Sequence, residues 1–145
     1  MLVSYPALFY YDAAETEKYS IFFADLSGGT VGKTINDAMA MASDYLGIVL
    51  ANLVDTDHDM PKPSDITKLD LVKNDPFKDD TDFNPTYDLS KSFLSMVSVD
   101  LTNYLDAGKP VKKTLTIPKW ADTLGKRKNI NFSEVLTDAI LRLDQ

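Results

Sequence analysis

The stretch VKKTLTIPKWADTLGKRKNINFSEVLTDAI, residues 111–140, decides the fold of the C-terminal end of this chain. Its first seven residues alternate between apolar and polar, which predicts a short β-strand over residues 111–117. The apolar positions are Val111, Leu115 and Ile117, and the polar positions are Lys112, Thr114 and Thr116. Lys113 interrupts the apolar side near its start. The sequence therefore predicts a strand with one face to bury and one face to expose.

Two helices are predicted after this strand. Pro118 opens the first, because the missing N–H costs nothing at the first helical position. This helix extends to about residue 128, with Trp120 and Leu124 available for burial. Asn131 is the predicted N-cap of the second helix, and a glutamate follows three residues later, as in a relaxed capping box. The expected buried stripe of the second helix is apolar and consists of Phe132, Val135, Leu136, Ala139, Ile140 and Leu143.

A short strand and two short helices cannot bury a core alone, and the strand has two free edges. Pairing with the same strand of a second chain solves both problems, which predicts a ribbon-helix-helix homodimer over residues 111–145. Such a ribbon fits the major groove of DNA and would present Lys112, Thr114 and Thr116 to the bases. The start of the second helix offers backbone N–H groups to a phosphate at Asn131, Phe132 and Ser133. The alternative is a module that serves only for dimerisation.

The charge of the chain divides at nearly the same boundary. The net charge of the whole chain is -7. From Lys109 onward there are eight basic and four acidic residues, whereas the rest of the chain has seven basic and eighteen acidic residues. The basic end suits phosphates, and the acidic part repels nucleic acid and suits a basic partner. An acidic surface is also ordinary for a cytosolic protein, so the charge of this part alone does not identify a partner.

Residues 1–106 predict an α+β domain. Strands are expected at residues 3–11, 19–24, 30–32 and 91–101, and a long helix at residues 35–54 with Thr34 as its N-cap. These elements predict a mainly antiparallel sheet with one helix packed on it. Residues 55–89 are rich in proline and aspartate and predict an irregular connection on the surface. Residues 107–110 are the predicted linker to the C-terminal module.

Composition excludes several classes of site. The chain has no cysteine, so disulfide scaffolds and cysteine-based zinc sites are excluded. His58 is the one histidine and lies among Asp55, Asp57 and Asp59, where a solvated loop histidine is favoured over a weak metal site. No run approaches 18 consecutive apolar residues, and the first eleven residues do not resemble a secretory signal. We therefore expect a cytoplasmic protein with no cofactor, no metal and no membrane span.

Three segments of this chain resemble the HicB-type antitoxins of toxin–antitoxin pairs. They are YPALFYYDAAETEKYSIFFADLSGG (residues 5–29), VSVDLTNYLDAGKPVKKTLTIPKWADTL (97–124) and INFSEVLTDAIL (130–141). The resemblance covers nearly the whole chain, and its C-terminal part is the more specific. The sequence departs from the family at Ser27-Gly28, where Pro-Gly is usual, and in residues 55–89, which look longer than usual.

The resemblance implies a partial RNase H-like N-terminal domain and a ribbon-helix-helix C-terminal domain. It implies an antitoxin, not an enzyme, that silences HicA, a small basic ribonuclease that cleaves mRNA. The C-terminal homodimer, which could pair further into a tetramer, would bind and repress the operon's own promoter. By position, Lys112, Thr114 and Thr116 fall on the ribbon, and residues 131–133 fall on the phosphate-anchoring helix start. The toxin-binding residues stay unassigned.

Two alternatives from other functional classes remain open. One is a transcriptional regulator whose N-terminal domain senses a small ligand. The other is a Mg²⁺-dependent RNase H-like nuclease, which needs several carboxylates that converge on the metal. Its candidate ligands are Asp12, Asp25 and Asp100, although an acidic chain places carboxylates at strand ends by chance.

Overall fold

The N-terminal part of the chain folds around a four-stranded antiparallel sheet with the order β3-β2-β1-β4. A computed structural model describes residues 1–83, 85–105 and 110–143. The strands are β1 (Leu2–Tyr11), β2 (Tyr19–Phe23), β3 (Gly29–Gly32) and β4 (Phe93–Asp100). β1 is central, since it pairs with β2 on one side and with β4 along most of its length on the other. The four predicted strands are confirmed to within two residues.

One face of the sheet is covered by a long helix, α1 (Ile35–Asp55). The predicted N-cap is confirmed, because the Thr34 side chain accepts a hydrogen bond of 3.1 Å from the backbone N–H of Asp37. Four fully buried side chains form the inner face of α1: Ala38, Ala42, Leu46 and Leu50. They pack in one hydrophobic cluster with strand residues such as Tyr5, Phe9 and Val97. The α+β domain with one long helix is therefore present as predicted.

Residues 60–83 and 85–89, which we call the strap, begin at the α1 side, where Met60 joins the hydrophobic cluster, and go on to cover the opposite face of the sheet. Leu8 and Tyr10 point to this side and are each 1% exposed. The hydroxyl of Tyr10 donates a 2.6 Å hydrogen bond to the Leu71 carbonyl, and its ring stacks on Tyr87 with centroids 4.7 Å apart. Apart from one 3₁₀ turn at Ile66–Lys68, the described strap has no regular secondary structure, as predicted. The prediction of an irregular surface connection is thus confirmed, but this connection also forms a third packed layer, which was not predicted.

Aspartate side chains build the turns of the strap. The carboxylates of Asp65, Asp70, Asp75 and Asp80 each accept a hydrogen bond from a backbone N–H two residues further on. These four residues recur at intervals of five positions. Side-chain and backbone hydrogen bonds from Thr67 hold the pKa of Asp65 below its usual value. Backbone hydrogen bonds from residues 73 and 72 do the same for the pKa of Asp70. The aspartates of this segment are therefore structural residues as well as surface charges.

The C-terminal part consists of two helices preceded by an irregular segment. The helices are α2 (Lys119–Arg127) and α3 (Phe132–Leu143), which confirms both predicted helices. Residues 110–118 form no strand within the described chain. A ribbon strand takes its hydrogen-bond partner from a second chain, so the strand at residues 111–117 stays a prediction. Apart from Pro110, the predicted linker lies outside the described residues.

α1 is long and apolar enough, by length and composition, to cross a membrane. Its inner face, however, packs on the sheet in the manner of a core helix. Gly47 lies on this helix where a side chain would collide with the ring of Tyr104, since a Cβ would lie 2.5 Å from the Tyr104 Cε2 atom. The packing against Tyr104 explains a glycine at a position where it weakens the helix.

Candidate functional site

The polar and apolar residues of the 111–117 segment lie as the alternation predicts. Val111, Lys113, Leu115 and Ile117 line one groove with α3, whereas Lys112, Thr114 and Thr116 do not line it and are exposed. Lys113 thus interrupts the apolar side, as the sequence indicates. The segment therefore has one side that faces α3 and one side that is free to contact another molecule.

The groove between this segment and α3 is apolar and open. It has a volume of about 450 Å³, and α3 contributes Phe132, Leu136 and Ile140 to its wall. Val111 is 88% exposed and Leu115 is 56% exposed. A contiguous exposed apolar surface of this kind is typical of a protein interface.

The predicted apolar stripe of α3 is largely exposed in the single chain, so its burial stays a prediction for the dimer. Phe132, Val135, Ile140 and Leu143 are all exposed, whereas Leu141, outside the predicted stripe, is buried. Trp120 on α2 is also 70% exposed. The physical reason is that two helices and an extended segment are too few to enclose both faces of α3.

The start of α3 is capped by its own sequence. The Asn131 side-chain oxygen accepts hydrogen bonds from the backbone N–H groups of Ser133 at 3.1 Å and Glu134 at 3.3 Å, which confirms the predicted N-cap. The N–H of Ser133 is therefore already used, which corrects the expectation that it is free for a phosphate. The ring of Phe132 approaches Gly125 so closely that a Cβ there would lie 2.5 Å from the ring. Phe132 thus joins α2 to α3.

The carboxylates suggested for a nuclease occupy separate places. Asp12 is buried and accepts hydrogen bonds of 2.9 Å from the Ala14 N–H and the Thr86 hydroxyl. Asp25 accepts hydrogen bonds from Ser64, and Asp100 forms an ion pair of 2.7 Å with the N-terminal ammonium group. Asp100 pairs with the first residue of β1, whereas Asp12 follows its last residue. Each carboxylate therefore has a local structural role.

Metal-ligand geometry can be assessed only for residues 1–83, 85–105 and 110–143. Within these ranges no group of three His, Asp or Glu side chains is placed to hold a metal ion. The imidazole Nδ1 of His58 lies 3.0 Å from the Thr56 hydroxyl oxygen, in the exposed turn that ends α1. The surrounding aspartates do not join it in a ligand cluster, so the geometry favours the solvated loop histidine.

Sequence reasoning assigned no toxin-contacting residues, and the acidic part of the chain offers two exposed surfaces for a partner. One is the strap with its turn-building aspartates. The other is the solvent side of α1, where exposed apolar and acidic side chains alternate. The helical spacing of the exposed residues of α1 is the sequence signal for the second surface.

Comparisons with known proteins identify relatives of the whole chain. The sequence model of a family described as the HicB_like antitoxin of bacterial toxin-antitoxin systems matches residues 4–73. A chain in a structure titled "Toxin-Antitoxin complex from Streptococcus pneumoniae" is 55% identical, with a TM-score of 0.72, over 98% of this chain and 99% of that one. The crystal structure of the Burkholderia pseudomallei antitoxin HicB has 22% identity and a TM-score of 0.57, over 96% of each chain, and shows a shared fold. No protein of curated function matches the sequence.

Proposed function

This chain belongs to the HicB-like antitoxins of bacterial toxin–antitoxin systems, and from that premise we propose both of its binding partners. The domain of residues 1–106, a partial RNase H-like fold, binds and silences a HicA-type ribonuclease toxin. Residues 111–145 form a ribbon-helix-helix homodimer that represses the operon's promoter, and residues 107–110 link the two. The protein acts in the cytoplasm, where the mRNA target of the toxin and the promoter are found.

The open apolar groove beside a basic exposed segment carries the DNA-binding half of this proposal. A second copy that pairs its 111–117 segment with the first would complete a two-stranded ribbon and cover the groove of each chain. The same pairing would leave Lys112, Thr114 and Thr116 on the outer face, because they lie opposite the groove-lining residues. A ribbon with two lysines and four threonines on one face suits the major groove of DNA.

The 55% identical chain in a toxin–antitoxin complex supports the toxin-binding half. The charge distribution supports the same half, because a ribonuclease needs cations to bind RNA and the N-terminal part of this chain is strongly acidic. If the acidic surface of this chain docks on the basic surface of the toxin, it would cover the cations that the toxin uses to bind RNA. Dimers of this antitoxin could associate further into tetramers through the same C-terminal module.

A mobility-shift assay with the native promoter tests the DNA-binding half. Thr114→Ala and Thr116→Ala should lose discrimination between the promoter and a scrambled duplex, since one good base contact contributes about 1–3 kcal/mol. Thr123→Ala, an exposed threonine on α2, is the matched control and should bind as the wild type does. Equal discrimination by all three variants would refute the ribbon assignment.

The role of Lys112 is tested by the salt dependence of promoter binding. If Lys112 binds a phosphate, Lys112→Ala should reduce the slope of log affinity against log salt by about one unit for each phosphate that the lysine neutralises. Lys68→Ala removes an exposed lysine of the strap and should leave the slope unchanged.

For the toxin-binding half, co-expression of this chain with the toxin encoded beside its gene should restore growth and allow co-purification.

A further inference from the structure

α1 is unusually apolar for a helix at the surface of a domain. It is apolar enough to cross a membrane, yet only a third of its most apolar stretch is buried within the chain. Ile48 and Met41, on the solvent side of the helix, are 55% and 39% exposed. A soluble helix normally carries polar residues on its solvent side, so Ile48 and Met41 are candidate anchors for another molecule that covers this side.

Six of the exposed residues of α1 form one stripe in which acidic, amide and apolar side chains are interspersed. Spacings of four, three, four, four and three positions place six exposed residues on one side of the helix. This outer stripe consists of Asp37, Met41, Asp44, Ile48, Asn52 and Asp55. It extends about 27 Å along the helix axis. All three carboxylates of α1 lie on the stripe, and α1 contains no lysine, arginine or histidine.

The charge of the stripe selects among the molecules that could cover it. In a second copy of α1 packed face to face, aspartate would meet aspartate, and like charges across an interface are destabilising. Anionic lipid headgroups would be repelled for the same reason. A protein with a basic surface satisfies both parts of the pattern, because it can bury Ile48 and Met41 and pair its cations with the flanking carboxylates.

We propose that the outer stripe of α1 is the surface that binds the basic toxin. This inference rests on the proposed function, which supplies a basic partner for the N-terminal domain. Ile48 and Met41 are the apolar anchors, and Asp37, Asp44 and Asp55 pair with cations of the toxin. The cations that a ribonuclease uses for RNA phosphates would then be occupied by the antitoxin, which explains how binding silences the toxin.

Charge insertion at the two anchors tests this assignment. Ile48→Lys and Met41→Lys place a cation against a basic partner and remove an apolar side chain, so each should weaken toxin binding about thirtyfold or more, as for an interface hot spot. The matched control is Val72→Lys, because Val72 is 61% exposed and lies on the strap, across the sheet from α1. It should bind within about twofold of the wild type. Titration calorimetry with a catalytically inactive form of the toxin encoded beside this gene measures all four affinities.

The measured affinities distinguish a failure of the stripe assignment from a failure of the proposed function on which it rests. Failure of the wild-type chain to bind that toxin would overturn the proposed function. Tight binding by the wild type and equally tight binding by the Ile48→Lys, Met41→Lys and Val72→Lys variants would overturn the stripe alone. Unchanged thermal melting and promoter binding must accompany the weaker toxin binding. If a lysine variant unfolds, Ile48→Ala and Met41→Ala replace it, and each should still weaken binding about tenfold.

Other occupants of the stripe give distinct results. If Ile48→Lys dissociates a wild-type oligomer in sedimentation but keeps full toxin affinity, a second copy covers the stripe and the proposal is wrong. If the wild type binds phosphatidylcholine or phosphatidylglycerol vesicles and Ile48→Lys does not, with toxin affinity unchanged, a membrane covers it and the proposal is again wrong.

Discussion

Shortening Leu115 in the groove beside α3 should weaken the proposed dimer. Leu115 is 56% exposed in the single chain, so just over half of its surface remains for a second copy to bury. Complete burial of a leucine side chain contributes about 1.5–3 kcal/mol, so this half contributes about 1 kcal/mol in each chain. Both chains carry the change, so Leu115→Ala should cost the dimer about 2 kcal/mol and raise its dissociation constant about thirtyfold.

Sedimentation equilibrium over a range of protein concentrations measures this change directly. Val72→Ala is the matched control, since Val72 is 61% exposed on the strap and lies outside the groove. It should leave the dissociation constant within about twofold of the wild-type value. The far-ultraviolet circular dichroism of Leu115→Ala should match that of the wild type at dimer-forming concentrations. A Leu115→Ala dimer as tight as the Val72→Ala dimer would refute the groove as the dimer interface.

Three further predictions concern the N-terminal domain, each measured by urea unfolding. Gly47→Ala should destabilise this domain by about 1 kcal/mol, because the new Cβ would collide with the Tyr104 ring and this outweighs the better helix propensity of alanine. In the Tyr104→Ala background the ring is absent, so Gly47→Ala should no longer be destabilising. Tyr10→Phe should cost about 1–2 kcal/mol by leaving the strap carbonyl unbonded, and an unchanged midpoint would contradict the packing of the strap on Tyr10. A hydrogen bond from the N-terminal ammonium group lowers the pKa of Asp100, so its stabilising effect is complete above about pH 3.8 and is lost as pH falls below it. The wild type should accordingly lose more stability between about pH 5 and about pH 3 than Asp100→Asn does.

The regular elements of the N-terminal domain follow from local signals in the sequence. Thr34 and Asp37 mark the start of α1, and the 3.6-residue period of its inner face predicts which residues are buried. The strands are rich in aromatic and β-branched residues, which favour extended structure. These signals act over a few neighbouring residues, so one sequence is enough to read them.

The packing of the strap was not predicted, because proline-rich and aspartate-rich segments usually indicate loose surface connections. One signal was present in β1, which reads YPALFYY over residues 5–11 without the alternation of a half-exposed strand. A strand with apolar residues on both faces needs a cover on both faces. Phe77 and Tyr87 supply part of this second cover, since they pack on Phe22 and Tyr10.

In the C-terminal module, local sequence signals predict the helices but not what covers them. Its helices and the Asn131 cap were predicted from local sequence, but the apolar stripe of α3 stays exposed within one chain. Periodicity indicates which residues prefer burial, but it does not say whether the cover comes from the same chain. The outer stripe of α1 was overlooked for a related reason, since its apolar residues are mixed with aspartates and do not form a continuous run.

The aspartates that build the turns of the strap contribute both negative charge and backbone geometry, and substitution can change the charge alone. Asparagine builds the same side-chain-to-backbone turn as aspartate, and it carries no charge. Replacing Asp65, Asp70, Asp75 and Asp80 by asparagine would therefore remove four negative charges and keep the path of the backbone. If the proposed toxin is attracted by these charges, its rate of encounter with the antitoxin would fall with each charge removed, while the geometry of the bound complex would stay the same.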